Sequence, residues 1–261
     1  MASYVSYVSI PQLMIHRKGE TENAFMKTNH CITVIPPYSF CMLSNTILSV
    51  VNCVDKDDND KDKYMDIANI TIPRQCCIPV IETEMNSTKN VDNNILGSNH
   101  ILYTLHRIDQ ILIPIADCNS ANLSYYGAEL ITPTKPYFKL DNASQMPLFN
   151  MSIGCDYIKD YLLQPGLGDG FYMEKHNTPH IHIPIDNSSS GYYILGEIIN
   201  NNLYATAFEI PTGCAIYTPP NIYHCDAALV GNWNVMYACA SQYITYILHN
   251  NDNTIPTLNF T

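Results

Sequence analysis

His176-Asn177-Thr178-Pro179-His180-Ile181-His182 gathers three of the chain's nine histidines into seven positions, and Asp186 follows four residues later. In a strand, side chains two apart share a face, so His180 and His182 can turn both imidazoles into one barrel or cleft. That is a metal-ligand geometry. A second stretch, Gly213-Cys214-Ala215-Ile216-Tyr217-Thr218-Pro219-Pro220-Asn221-Ile222-Tyr223-His224, runs from a glycine turn through a short strand and a proline corner to another histidine. Three neutral imidazoles, with or without a carboxylate, suit Fe(II), Mn(II), Ni(II), Cu(II) or Zn(II), and the missing cysteine ligand argues against a structural zinc. The competing role for each imidazole is that of a surface or hydrogen-bonded core histidine.

Working outward, Val, Ile, Tyr and Thr recur in short runs punctuated by Pro, Asn, Asp and Gly, a pattern of strands. Strands are expected at 31–35, 46–54, 101–105, 110–115, 128–131, 192–197, 204–209, 215–218 and 235–240. The best helical periodicity lies at 153–163, ahead of the stop signal Gln164-Pro165-Gly166. Residues 55–63 are dense in charge and read as a solvated loop; they lack the glycine and terminal glutamate of a calcium loop. Residues 84–99 read as another polar excursion.

The chain has 261 residues, 46% of them apolar and 14% charged, enough to bury a sizeable core and too few charges for a disordered chain. A net charge of −11 is the wrong sign for tracking nucleic acid or an anionic membrane by its field. No apolar run reaches the roughly 18 residues of a membrane span. The first residues lack the basic and apolar regions of a secretory signal, so the cytoplasm is the expected compartment. The ten cysteines are scattered and form no C-x-x-C pair, which favours reduced thiols.

The two histidine stretches together resemble the cupins. The second cupin motif has the form G-x5-P-x-G-x2-H-x3-N; Gly213, Pro219 and His224 match it, while Asn221 and Ala228 replace its second glycine and its asparagine. For the first motif, His180-x-His182-x3-Asp186 keeps the ligand spacing with Asp in place of Glu. Its leading glycine is displaced, since Gly170 stands at the right interval before His176 rather than His180. The resemblance covers residues 162–240. It implies an all-β double-stranded β-helix, a jelly-roll barrel, over 151–261. It also implies metal ligands at His180, His182, His224 and Asp186, with Glu197 or Glu209 as substitutes for Asp186.

His176 then reads as a hydrogen-bond partner of a ligand, a substrate contact or an exposed loop residue. Among Tyr192, Tyr193, Tyr217 and Tyr223, strand alternation turns about half inward, where a phenol can act as acid or base; some cupin lyases use a tyrosine near Tyr192 or Tyr193. Ile35-Pro36-Pro37-Tyr38-Ser39-Phe40-Cys41 echoes 218–224 with Cys41 at the histidine position. Residues 1–150 are accordingly expected to be β-rich, as a degenerate second barrel of a bicupin ahead of the alternatives, a β-domain of another kind or an elaboration wrapped around one barrel. The resemblance implies a metal-dependent enzyme acting on a small polar metabolite, with dioxygenase chemistry ahead of lyase or isomerase chemistry and iron ahead of the other metals. A homodimer fits the family. The alternative is a non-catalytic cupin that binds a sugar or small ligand, or that serves a structural role.

Overall fold

In this computed structural model, residues 15–51, 70–83, 100–105, 107–238, 240 and 243–261 are described. The charged stretch 55–63, the polar stretch 84–99 and the end of the strand expected at 46–54 lie outside them. The described chain begins with β1 (His16–Lys18), β2 (Phe25–Ile35), β3 (Phe40–Ser44) and β4 (Ile47–Val50). Next come β5 (Cys76–Thr83), β6 (His100–Leu105), β7 (Gln110–Ile113), β8 (Ile115–Ala116) and a short helix, α1 (Ser120–Tyr125). β9 (Glu129–Ile131), β10 (Tyr137–Lys139), β11 (Met146–Ile153), β12 (Phe171–His176) and β13 (His180–Pro184) follow. The chain closes with β14 (Ser190–Ile199), β15 (Asn202–Phe208), β16 (Ala215–Thr218), β17 (Tyr223–Met236), β18 (Tyr243–Asn250) and β19 (Thr257–Phe260). The fold is nearly all β, as its Val, Ile, Tyr and Thr runs imply.

Two antiparallel layers share one long strand. Residues 231–236 of β17 pair with β11 and β13, and β13 pairs on with β16. Residues 223–230 pair with β12 and β14, and β14 pairs on with β15. β17 turns from one layer to the other at Gly231, where φ is +88° and a Cβ would strike the Ser188 carbonyl, so only glycine fits. This is a jelly-roll-like arrangement. Strands from the first half extend it: β2 joins β11, β9 joins β16, and β6 and β5 carry the pairing from β18 round to β15. Residue 150, where the sequence pattern divides the chain, lies inside β11.

All five residues of β13 are buried, because both faces are covered. His180 and His182 turn inward. Ile181 and Ile183 turn outward into a second core with Ile35, Leu148, Tyr217 and Met236, to which Cys41, Leu48 and Phe138 of the sheet β10-β3-β4 contribute. Cys41, the echo of His224, is therefore a packing residue here.

The helix expected at 153–163 shrinks to one π turn at Ile158–Leu162, and Ile153 ends β11. Gly154 explains the difference. Its N–H donates to the Phe25 carbonyl and it lies too close to Asn23 for any Cβ, so the chain stays docked on β2 where a helix would begin. The strand expected at 235–240 ends at Met236. Among the described residues no helix is long and apolar enough to cross a membrane, and the cysteines are free thiols.

Candidate metal centre

Glu174 and His176 are two apart on β12 and so share its inward face. Across the ladder Glu174 pairs with His224 of β17, and His180 reaches the same point from β13 in the facing layer. Ligand atoms of Glu174, His176, His180 and His224 all lie within 4.8 Å of one another, and all four residues are buried. The imidazole centroids are 4.4 Å apart for His176 and His180, and 4.8 Å apart for His224 and each of those two. Two opposite ligands on one ion, each at about 2.1 Å, span about 4.2 Å. Small side-chain rotations therefore bring these donors onto a single cation.

The hydrogen bonds around the rings fit that use. Ligating histidines fix one ring nitrogen on an outer partner and offer the other. His224 donates Nδ1–H to the Ile222 carbonyl at 2.9 Å, and His176 Nδ1 is 3.1 Å from the Thr178 hydroxyl. His182 Nε2 lies 3.4 Å from Asp226 Oδ2. The opposite nitrogens of His176 and His182 are buried without a hydrogen-bond partner, as is His180 Nδ1, while His224 Nε2 makes no well-aligned hydrogen bond and faces the Glu174 carboxylate. Such orphaned atoms are costly in a protein interior unless something binds them. Formal charge agrees: among the described residues the buried Asp, Glu, Lys and Arg side chains are Glu174, Asp226 and Arg17, a surplus of one negative charge.

Burial, reinforced by the neighbouring imidazoles, lowers His176 to about 3 and drives His180 well below its ordinary value, so both stay neutral donors. Burial pulls His224 the same way, but the Glu174 carboxylate, 3.0 Å from Nε2, outweighs it and raises this ring. A stability effect follows for metal-free protein. Between the unfolded histidine value of 6.5 and about 3, the unfolded chain binds protons at positions 176 and 180 that the folded chain refuses. Stability therefore falls as pH falls across that window, by up to about 1.4 kcal/mol per unit for each of the two histidines. His224 has the opposite sign, since its contribution is complete below 6.5 and is lost as pH rises through its raised value. Urea unfolding of chelator-treated protein should give a lower midpoint at pH 5 than at pH 7, and a His176→Phe variant should flatten the difference.

The residues named from sequence divide. His180 and His224 join the centre. His176 does too, as a donor rather than a loop residue. His182 stands beside it, its ring 5.6 Å from His180 and tilted against Tyr193 at 4.5 Å. Tyr193 is buried and hydrogen-bonded to Thr218 Oγ1, and burial holds its phenol well above the ordinary value. Tyr192 faces away, packed on Phe260 at 4.6 Å. The structure corrects the expectation for Asp186: it is exposed, and its carboxylate accepts the Ser188 N–H at 2.7 Å, a local turn contact that a short acidic side chain makes readily. Glu197 accepts from Tyr125 OH at 2.5 Å and Glu209 is exposed, so neither supplies the carboxylate.

Glu174 supplies it instead, and sequence reading passed over it together with Asp226. Two signals mark Glu174. Glu174-x-His176 repeats the two-residue spacing of His180-x-His182, and Gly170 precedes His176, not His180, by the interval of the cupin motif. Asp226 stands two beyond His224 and shares its face. No protein-family model matches the chain, and no curated protein or solved structure matches it.

Proposed function

We propose that this chain is a metal-dependent enzyme of the cupin type that acts on a small polar metabolite with dioxygenase chemistry. The observation that carries the reading is the convergence of His176, His180 and His224 on Glu174, with His176 Nε2 and His180 Nδ1 buried without a hydrogen-bond partner. The jelly-roll-like pairing supports it. A mixed set of three imidazoles and one carboxylate favours ferrous iron over the thiol-loving metals. When bound, such an ion supplies open positions at which dioxygen and substrate can meet. Glu174 neutralises charge at the centre, the Ile222 carbonyl holds His224 in the tautomer that offers Nε2, and the Thr178 hydroxyl can accept from His176 Nδ1–H to do the same there. His176, His180, Thr178 and Tyr237 keep 7–8% exposure where Glu174, His182 and His224 keep 4% or less, so a small ligand approaches from the side of the β12–β13 turn.

Elemental mass spectrometry of protein purified without chelator or affinity metal tests this reading, with His180→Ala in parallel and dioxygen uptake measured after ferrous loading. The expected result is near-stoichiometric iron that the variant loses. No metal in either protein overturns the proposal. The depth of burial favours one second reading, a non-catalytic cupin whose cation holds the two layers together. Stoichiometric metal that raises the melting temperature, without dioxygen uptake on any small polar substrate offered, selects it.

A further inference from the structure

Thr245 sits on β18 with its side chain fully buried and its hydroxyl without a hydrogen-bond partner. It is the one hydroxyl oxygen among the orphaned buried side-chain atoms of the described residues, and the others are all nitrogens of His176, His180, His182 and His224. Register puts it at the same centre. Glu174 of β12 pairs on one side with His224 and on the other with Thr245. Cross-strand partners in an antiparallel ladder point to one face with Cβ atoms about 4.5–5.5 Å apart. Thr245, Glu174 and His224 therefore form a row of three side chains on the interior surface, the carboxylate in the middle.

A carboxylate that ligates a metal is itself held by an outer hydrogen bond. Of the two neighbours across the ladder, His224 offers Nε2, which the cation claims. Thr245 carries a donor that nothing else claims. The geometry points to Thr245 as the positioning residue of Glu174, its hydroxyl donating to the carboxylate oxygen that does not face the metal. This role rests on the metal reading above, which accounts for an unsatisfied hydroxyl in a packed strand where valine would fit.

Three chelator-treated proteins test it: wild type, Thr245→Val and Thr245→Ser, with Thr245→Ala in reserve should the valine variant fail to fold. Dissociation constants for Co(II) and Fe(II), measured by competition with a chromophoric chelator, are compared with the Co(II) absorption spectrum and the melting temperature of metal-free protein. The valine variant should bind about 10–100-fold more weakly with an altered Co(II) spectrum, and serine should restore both. Metal-free Thr245→Val should melt at or above the wild-type temperature, because an unsatisfied buried hydroxyl is gone. Wild-type affinity and spectrum in Thr245→Val overturn the positioning role and leave the metal centre standing. No binding by wild type overturns both.

Discussion

Glu174→Gln should purify with little or no metal, whereas Asp186→Ala should purify with as much as wild type. The two substitutions separate the carboxylate at the imidazole cluster from the one that motif spacing names. Glutamine keeps the size of Glu174 and its place beside His224, but removes the formal negative charge that the buried interior presents to a cation. Outer partners of ligands alone are worth roughly 10–100-fold in affinity, so loss of a ligand itself should exceed about 100-fold. His224 adds a second readout. Its ring is raised by Glu174, so Glu174→Gln should let burial prevail and bring the imidazole back below its ordinary value, visible in proton NMR of metal-free protein. Asp186 touches only its own turn. Equal metal content in wild type and Glu174→Gln would remove the carboxylate from the centre.

The strand content, the inward direction of His180 and the place of His224 were legible because each depends on local pattern: alternation, a proline corner, a histidine at fixed spacing. The carboxylate was not, for a physical reason. β12 is Phe171-Tyr172-Met173-Glu174-Lys175-His176, and its interior face is Tyr172, Glu174 and His176. A strand whose buried face is polar inverts the usual signal, so it reads as solvent-facing. The partners that make this burial tolerable lie far away in sequence. Tyr172 OH donates to Asp226 at 3.0 Å, fifty-four residues on, and Glu174 meets His224 only through the ladder. Asp186 was misleading for the converse reason, since spacing fits a motif whether or not the chain turns before reaching it. Gly154 likewise ended the expected helix through contacts with Asn23 and Phe25, which periodicity within 153–163 does not contain.

Asp226→Ala should be the most destabilising single change in the interior, about 3–5 kcal/mol in urea unfolding at pH 7, the size seen when one partner of a buried charge system is removed. Asp226 accepts from Tyr172 OH at 3.0 Å and from His182 Nε2 at 3.4 Å, and its field reaches the buried Arg17 guanidinium. Burial opposes its charge. The His182 contact, Arg17 and Tyr172 together outweigh burial and hold the carboxyl at about 2. Its contribution is thus complete above the unfolded value of 3.8 and is lost as pH falls through about 2, so at pH 7 the whole of it is at stake. Alanine leaves a phenol and a ring N–H without their acceptor and removes a negative charge whose field reaches Arg17. Arg17 keeps its bond to Tyr157 OH at 3.1 Å but loses the nearby negative charge, and asparagine retains only one of the two acceptor oxygens, which is why Asp226→Asn should still cost more than about 1 kcal/mol. The decisive comparison is Arg17→Met in the Asp226→Asn background. If charge compensation dominates, removing the buried positive charge recovers part of the loss, and the coupling between the two sites reaches about 1–3 kcal/mol. Additive losses would assign the cost to Tyr172 and His182 instead, making Asp226 chiefly the residue that aims His182 at the metal centre.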